Sequence, residues 1–292
     1  MINTNDIINK IKFEIVNYTG YESLSEIITN NINIIFLDTD EFLKLSGAKS
    51  LSEGPGAFHK RENNTVYMLK KDTYDNHDIH KIIHELLHAY SNHYYNYGKE
   101  GFQVSGYVEN RLISVGGAIN EAATEYLTSI ISGDGFRGYP DEMKYIFELL
   151  INILNIKYDF VKIYFQKENW ITDEMNKKFN SSKNNQLDEF ILEFDNRLLM
   201  YRKKDFDFNK MMSILLDAIQ DKVINSINID YESIIRNLYL LRNCGLVDFN
   251  QDILSKIDYI TYELEKLYNI SYIPTNRNNS DNKNDGTIKM TF

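Results

Sequence analysis

A single cysteine, Cys244, in 292 residues excludes an intramolecular disulfide and a thiolate metal cluster, leaving a small buried hydrophobe as the expected role of that side chain. Proline is nearly as scarce, with 3 in the chain, so little interrupts helix formation. No run of 18 apolar residues occurs, which argues against insertion into a membrane as a helix. The opening Met1-Ile2-Asn3-Thr4-Asn5-Asp6 lacks the basic start and apolar stretch of an export signal. The expected location is therefore cytoplasmic, although leaderless secretion or delivery as an effector leaves no mark in a sequence. Positive charge is short as well: 32 Lys and Arg against 42 Asp and Glu give a net charge of -10, the wrong sign for displacing counterions from nucleic acid. The six histidines all fall between His59 and His93, and none follows.

What is present is an ordinary composition, 43% hydrophobic and 25% charged, with enough apolar material for one large domain or two lobes. Ile7, Ile8, Ile11 and Ile15 fall at helical spacing over residues 5 to 17. Ile32 to Leu37 reads as a short buried strand, Gly47 to Gly56 as a loop, and Ala57 to Leu69 as a hairpin turning near Asn63-Asn64. A strand of that hairpin at the lip of a cleft can pair its backbone with an extended peptide, or can simply complete the sheet. Two strongly periodic helices follow, over about Asp75 to Tyr95 and about Ile113 to Ile131, the second with Tyr126 on its core side and stopped by Gly133. From Asp141 to about Asn269 the pattern is a series of amphipathic helices, with breaks near Asn169, Ser181 to Asn185, Ile227 to Asp230 and Gly245. Thr275 to Gly286 has almost nothing apolar and reads as a solvated tail. The expected organisation is α+β: a lobe over 1–135 with a small mixed sheet, a helical lobe over 136–272, and a polar, disordered tail over 273–292.

The first of the two helices carries His84-Glu85-Leu86-Leu87-His88. Positions four apart share a helix face, so His84 and His88 can aim two imidazoles at one ion while Glu85 stands one step around the cylinder. Zinc takes neutral imidazole nitrogen and lowers the pKa of a coordinated water towards ~7, and an adjacent carboxylate can then accept its proton as it attacks a carbonyl carbon. The pattern has a chance expectation on the order of 0.01 in a chain of this composition. Two histidines leave a catalytic zinc one protein ligand short, so a third donor is expected downstream on a second element.

Gly117-Ala118-Ile119-Asn120-Glu121-Ala122-Ala123-Thr124-Glu125 places Glu121 and Glu125 four apart on one face of the second helix. Over about Asp75 to Thr128 the chain resembles the gluzincin metallopeptidases, the thermolysin-like zincins. There a glutamate in an Asn-Glu-Ala context completes the zinc shell, and an acidic residue four positions later orients the first histidine. The resemblance implies Zn2+ held by His84, His88 and Glu121, with Glu125 orienting His84 and Glu85 as general base, in a zincin-like lobe that hydrolyses internal bonds of a peptide or protein substrate. Glu125 in place of Glu121 is the main rival ligand, and Asp134 a lesser one.

The departures are equally specific. Thermolysin supplies a downstream histidine and an upstream tyrosine to the tetrahedral intermediate, and this chain has no histidine after position 93. Tyr107 and Arg111 are the candidates to stabilise the oxyanion. The 32 residues between His88 and Glu121 exceed the thermolysin spacing, which implies an inserted loop over about Asn96 to Asn110, with Gly98, Gly101 and Gly106 permitting movement. A metzincin is excluded, because Ser91 and Tyr94 stand where its glycine and third histidine would be. His80 extends the histidine row, but three successive turns of one helix do not converge on one ion. His80, like His77 and His93, is expected as a polar residue near the cleft or surface. Two other functions fit the same residues: a zincin-shaped binding protein without activity, and a zinc hydrolase of a non-peptide substrate.

Overall fold

The computed structural model describes residues 3–29, 31–50, 56–94, 98–108, 111–135, 139, 141–166, 190–195, 208–223, 230–243, 249–268, 270–273 and 287–290. They make a mixed α+β protein that divides into two compact units, Met1–Gly138 with Tyr158–Ile171, and Tyr139–Lys157 with Thr172–Phe292. No helix among the described residues is long and apolar enough to cross a membrane.

In the first unit, α1 (Thr4–Thr19) starts on Asn3, whose side chain accepts from the Asn5 N–H, and it buries Ile7, Ile8, Ile11 and Ile15. The short α2 (Leu24–Ile27) follows. Strand β1 (Asn33–Leu37), helix α3 (Thr39–Ser46) and strands β2 (Ala57–Lys60) and β3 (Thr65–Leu69) come next. The sheet order is β1-β3-β2, with β1 parallel and β2 antiparallel to the central β3. Every residue of β3 is buried, as a central strand covered on both faces requires, whereas β2 lies at an edge. The β2–β3 turn passes through Asn64 at φ 47°, a backbone state that asparagine tolerates better than most residues.

Helix α4 (Asn76–Ser91) opens with a reciprocal capping box in which Asp75 accepts from the Asp78 N–H and Asp78 accepts from the Asp75 N–H. Its buried face includes His80, Ile83, His84, Leu87 and His88, and it packs on β2, β3 and the helix that carries Glu121. That helix, α5, spans Gly117–Ser132. The chain then enters the second unit with α6 (Asp141–Ile153) and returns to the first with α7 (Asp159–Phe165). The sequence reading placed all of 136–272 in one lobe. The return of α7 is carried by Phe160, Tyr164 and Phe165, which are buried among partners of the first unit: Phe160 meets Tyr126 and Tyr164 meets Phe102.

The stretch between α4 and α5 is a sheet rather than the expected loop. Strands β4 (Asn92–His93), β5 (Lys99–Glu100), β6 (Gln103–Val108) and β7 (Arg111–Val115) pair antiparallel in that order. The helix expected from Ile113 therefore begins four residues later. Leu112, Ile113 and Val115 mimic helical spacing but belong to β7, and Gly116 at φ 86° makes the corner, where an added Cβ would stand 2.6 Å from the Phe102 carbonyl oxygen. Nor is Gly101 a hinge. At φ 53° it has Asn120 Oδ1 1.8 Å from where a Cβ would lie.

The second unit continues with α8 (Phe208–Val223), α9 (Tyr231–Asn243) and α10 (Gln251–Tyr268). Its last described elements are β8 (Ile270–Ile273) and β9 (Thr287–Met290), paired antiparallel, so the end of the chain is not wholly the polar tail expected over 273–292. Thr275 to Gly286 lies outside the described residues, as do the expected breaks near Asn169, Ser181 to Asn185 and Gly245 and residues 227–229 of the break before Asp230.

Candidate metal centre

His84, His88 and Glu121 form the one group among the described residues whose ligand atoms cluster within 4.8 Å as a metal site requires. The helical register of α4 supplies the two imidazoles, and the packing of α5 against it supplies the carboxylate. His84 Nε2 lies 3.1 Å from His88 Nε2 and 3.2 Å from Glu121 Oε2, and His88 Nε2 lies 3.4 Å from that oxygen. Ligands about 2.1 Å from a tetrahedral ion stand about 3.4 Å from one another, so these three separations are close to the edges of one face of such a tetrahedron. The Glu121 side chain is 26% exposed against 10% for His84 and 6% for His88, so the group is closed behind the histidines and accessible beside the glutamate.

The far sides of the rings decide which nitrogens carry protons. His84 Nδ1 lies 3.0 Å from Glu125 Oε2. His88 Nδ1 lies 3.1 Å from Glu100 Oε1. A carboxylate only accepts, so each Nδ1 is the donor, and each neutral ring leaves a bare Nε2 facing the cluster. With both rings neutral, two nitrogen lone pairs and a carboxylate oxygen converge, an arrangement that a cation relieves. Charge agrees with geometry: carboxylates crowd the two imidazoles, with Glu121 and Glu125 at His84 and Glu100 at His88, and Arg61, 2.9 Å from Glu100, is the guanidinium among them, so the surroundings favour a cation.

Without a cation, protons take its place. Burial opposes charging of His84, but its bonds to Glu121 and Glu125 outweigh that and raise its pKa to about 9. Burial likewise opposes charging of His88, yet the field of Glu121 and the bonds to Glu100 and Glu121 carry its pKa well above the ordinary value. Burial would raise Glu121 and Glu125, and the facing histidines instead hold both well below the usual carboxylate range.

Glu85 stands beside this group and outside it. Burial pushes its carboxyl upward, against the pull of the two neighbouring histidines, and Oε2 accepts the His59 backbone N–H at 2.7 Å. His59 lies on the edge strand β2, so the outward backbone of that strand meets the candidate base. Glu125 is fully committed behind the site, accepting from His84 and, at 2.8 Å, from His80 Nε2. It therefore does not join the clustered ligand atoms, and Asp134 does not either. His80, expected near the cleft or surface, is 2% exposed and also reaches Ser132 Oγ at 3.3 Å. His77 is exposed, and His93 Nε2 lies 3.0 Å from the Phe165 carbonyl oxygen. Tyr126 is a core residue, as expected.

Tyr107 and Arg111 take positions in the β6–β7 hairpin, paired with Leu112 and Val108, so Tyr107 is on a strand and not in the loop expected over about Asn96 to Asn110. Their side chains lie outside the described residues, so the oxyanion role given to them has no geometry to support it. The sequence reading missed Glu100, Arg61 and Lys99. Lys99 is fully buried and donates to the carbonyls of Ile163 (3.0 Å) and Gln166 at the C-terminal end of α7, and burial lowers its pKa to about 8. A Lys-Glu pair on a two-residue strand has no periodicity that would mark it as buried. Comparison with protein-family models, curated proteins and solved structures finds no match.

Proposed function

We propose that the first unit is a zincin-like lobe holding one Zn2+ through His84, His88 and Glu121, and that the protein is a gluzincin-like endopeptidase. The observation that carries the reading is the set of three tetrahedral edges, 3.1, 3.2 and 3.4 Å, made by atoms whose lone pairs face one another. Bound there, the ion would supply Lewis acidity and a water of lowered pKa. The chain's own residues do the rest. Glu125 and Glu100 fix the two imidazoles, and Glu85, its pKa raised by burial, stands beside them as the group to accept a proton. Strand β2 runs along Glu85, and an extended peptide laid beside that edge would present its backbone to the carboxylate.

The test compares wild type with Glu85→Gln and Glu121→Ala for bound zinc and for cleavage of a peptide library read by mass spectrometry. Glu85→Gln should keep one zinc per chain and lose turnover, and Glu121→Ala should lose the zinc. Cleavage at the wild-type rate by Glu85→Gln would sink the mechanism. Zinc uptake without cleavage by wild type would point instead to a binding protein or a hydrolase of another substrate.

A further inference from the structure

His88 needs an acceptor on Nδ1 if its Nε2 is to face a metal, and the surroundings leave one choice. Asn120 is close, with Nδ2 3.4 Å from His88 Nδ1, but an amide nitrogen only donates. Its oxygen is engaged elsewhere, accepting the Phe102 N–H at 3.0 Å. Turning the amide over would set Nδ2 against that N–H and the oxygen against Glu100, so both ends fix its orientation. Glu100 Oε1, 3.1 Å from His88 Nδ1, is the acceptor.

Glu100 is itself held from several directions. Arg61 Nε donates to Oε2 at 2.9 Å, and Asn120 Nδ2 approaches Oε1 at 3.5 Å. The carboxylate side chain is 6% exposed, and the Arg61 side chain is 24% exposed and also bonded to Gln103. A buried carboxylate with a guanidinium on one oxygen and an imidazole on the other is held at both ends, so the ring it meets is held too. Strand β5 belongs neither to α4 nor to α5, and Arg61 comes from the turn after β2.

We propose that Glu100, clamped by Arg61, is the positioning residue for His88: it fixes the Nδ1–H tautomer and the ring plane, so the strands between the two ligand helices are part of the metal site. This rests on the metal reading above and adds a second carboxylate–histidine unit to the Glu125–His84 one.

The experiment uses the full chain and Co2+ or Zn2+ alone. Affinity is measured by competition with a chromophoric chelator, the ligand field by the visible spectrum of the Co2+ form, and stability by thermal unfolding without metal. Glu100→Ala should weaken binding about 10- to 100-fold and shift the cobalt bands. Glu100→Gln, of the same shape and still able to accept from Nδ1–H, should recover part of the affinity. Should Glu100→Ala fail to fold, Glu100→Gln and Arg61→Met, which keeps the carboxylate and removes its clamp, carry the test with smaller losses in the same direction. Wild-type affinity and cobalt spectrum in the folded variants would overturn the proposal, even if their metal-free melting temperature fell, because that pattern belongs to a merely structural ion pair. A wild-type chain that takes up neither ion would overturn the metal reading itself, which is a different result.

Discussion

Metal and protons compete for the same lone pairs, and the competition has a calculable size. His84 has a pKa of about 9 in the metal-free fold, because its bonds to Glu121 and Glu125 overcome the cost of burying its charge. An ion bound through its Nε2 must displace that proton. At pH 7, two units below the pKa, the displacement weakens apparent affinity about 100-fold relative to the fully deprotonated ring, or about 3 kcal/mol, and about 50-fold relative to pH 9. The logarithm of the affinity should rise by about one per pH unit over this window, and more steeply if His88 is discharged in the same step. Zinc-buffered chelator competition from pH 6.5 to 9, corrected for protonation of the chelator, measures the slope. Affinity flat across that range would refute the geometry of converging bare nitrogens. The metal-free protein should behave in the opposite sense. A pKa raised from 6.5 to about 9 stabilises the fold fully below pH 6.5, and that contribution, up to about 3 kcal/mol, is lost as pH rises to 9. Glu121 and Glu125, with lowered pKa values, stabilise it above about pH 4.5 and lose that contribution in acid. Denaturant melts of the metal-free chain should therefore be most favourable near pH 5 to 6, and a maximum at pH 9 would contradict the assigned shifts.

Glu125→Ala should reduce zinc affinity about 10- to 100-fold and metal-free stability by about 1–3 kcal/mol, because it strips the acceptor from His84 Nδ1 and His80 Nε2 at once. Chelator competition and urea unfolding read the two effects, and unchanged affinity would remove Glu125 from the site. Gly101→Ala should cost about 2 kcal/mol or more, since it combines a φ of 53° with a Cβ placed 1.8 Å from Asn120 Oδ1. An unchanged melting temperature would show that Asn120 moves aside freely.

Much of the site was legible in the sequence because it depends on helix register. His84 with His88, and Glu121 with Glu125, are each four apart, and any helix through those residues puts each pair on one face. The preference for Glu121 over Glu125 came from the resemblance to gluzincins and not from spacing; in the structure Glu125 faces the back of His84 and His80, while Glu121 faces the two Nε2 atoms. The hairpin turn at Asn63-Asn64 and a strand over 33–37 were likewise readable, from turn residues and an isoleucine-rich run, but that strand is not buried as expected: it pairs only with β3, at the other edge of the sheet, and exposes Phe36.

Local pattern failed where one face had to be completed by distant chain. About Asn96 to Asn110 reads as a loop because polar residues and glycines alternate there without a clear period, yet its described residues pair into strands with Asn92–His93 and Arg111–Val115. Burial of Glu100 follows from Arg61 and His88, 39 and 12 residues away, and burial of His80 from Glu125, 45 residues away. The return of α7 to the first unit rests on contacts such as Lys99 with the Ile163 carbonyl, a separation of 64 residues.

The two histidines and the Glu121/Glu125 pair were thus determined by the sequence alone, because a helix converts spacing into direction without help from the rest of the molecule. Only the tertiary structure decided what stands behind each histidine. A buried carboxylate is stable only where donors from several elements meet, and no single stretch of chain contains them.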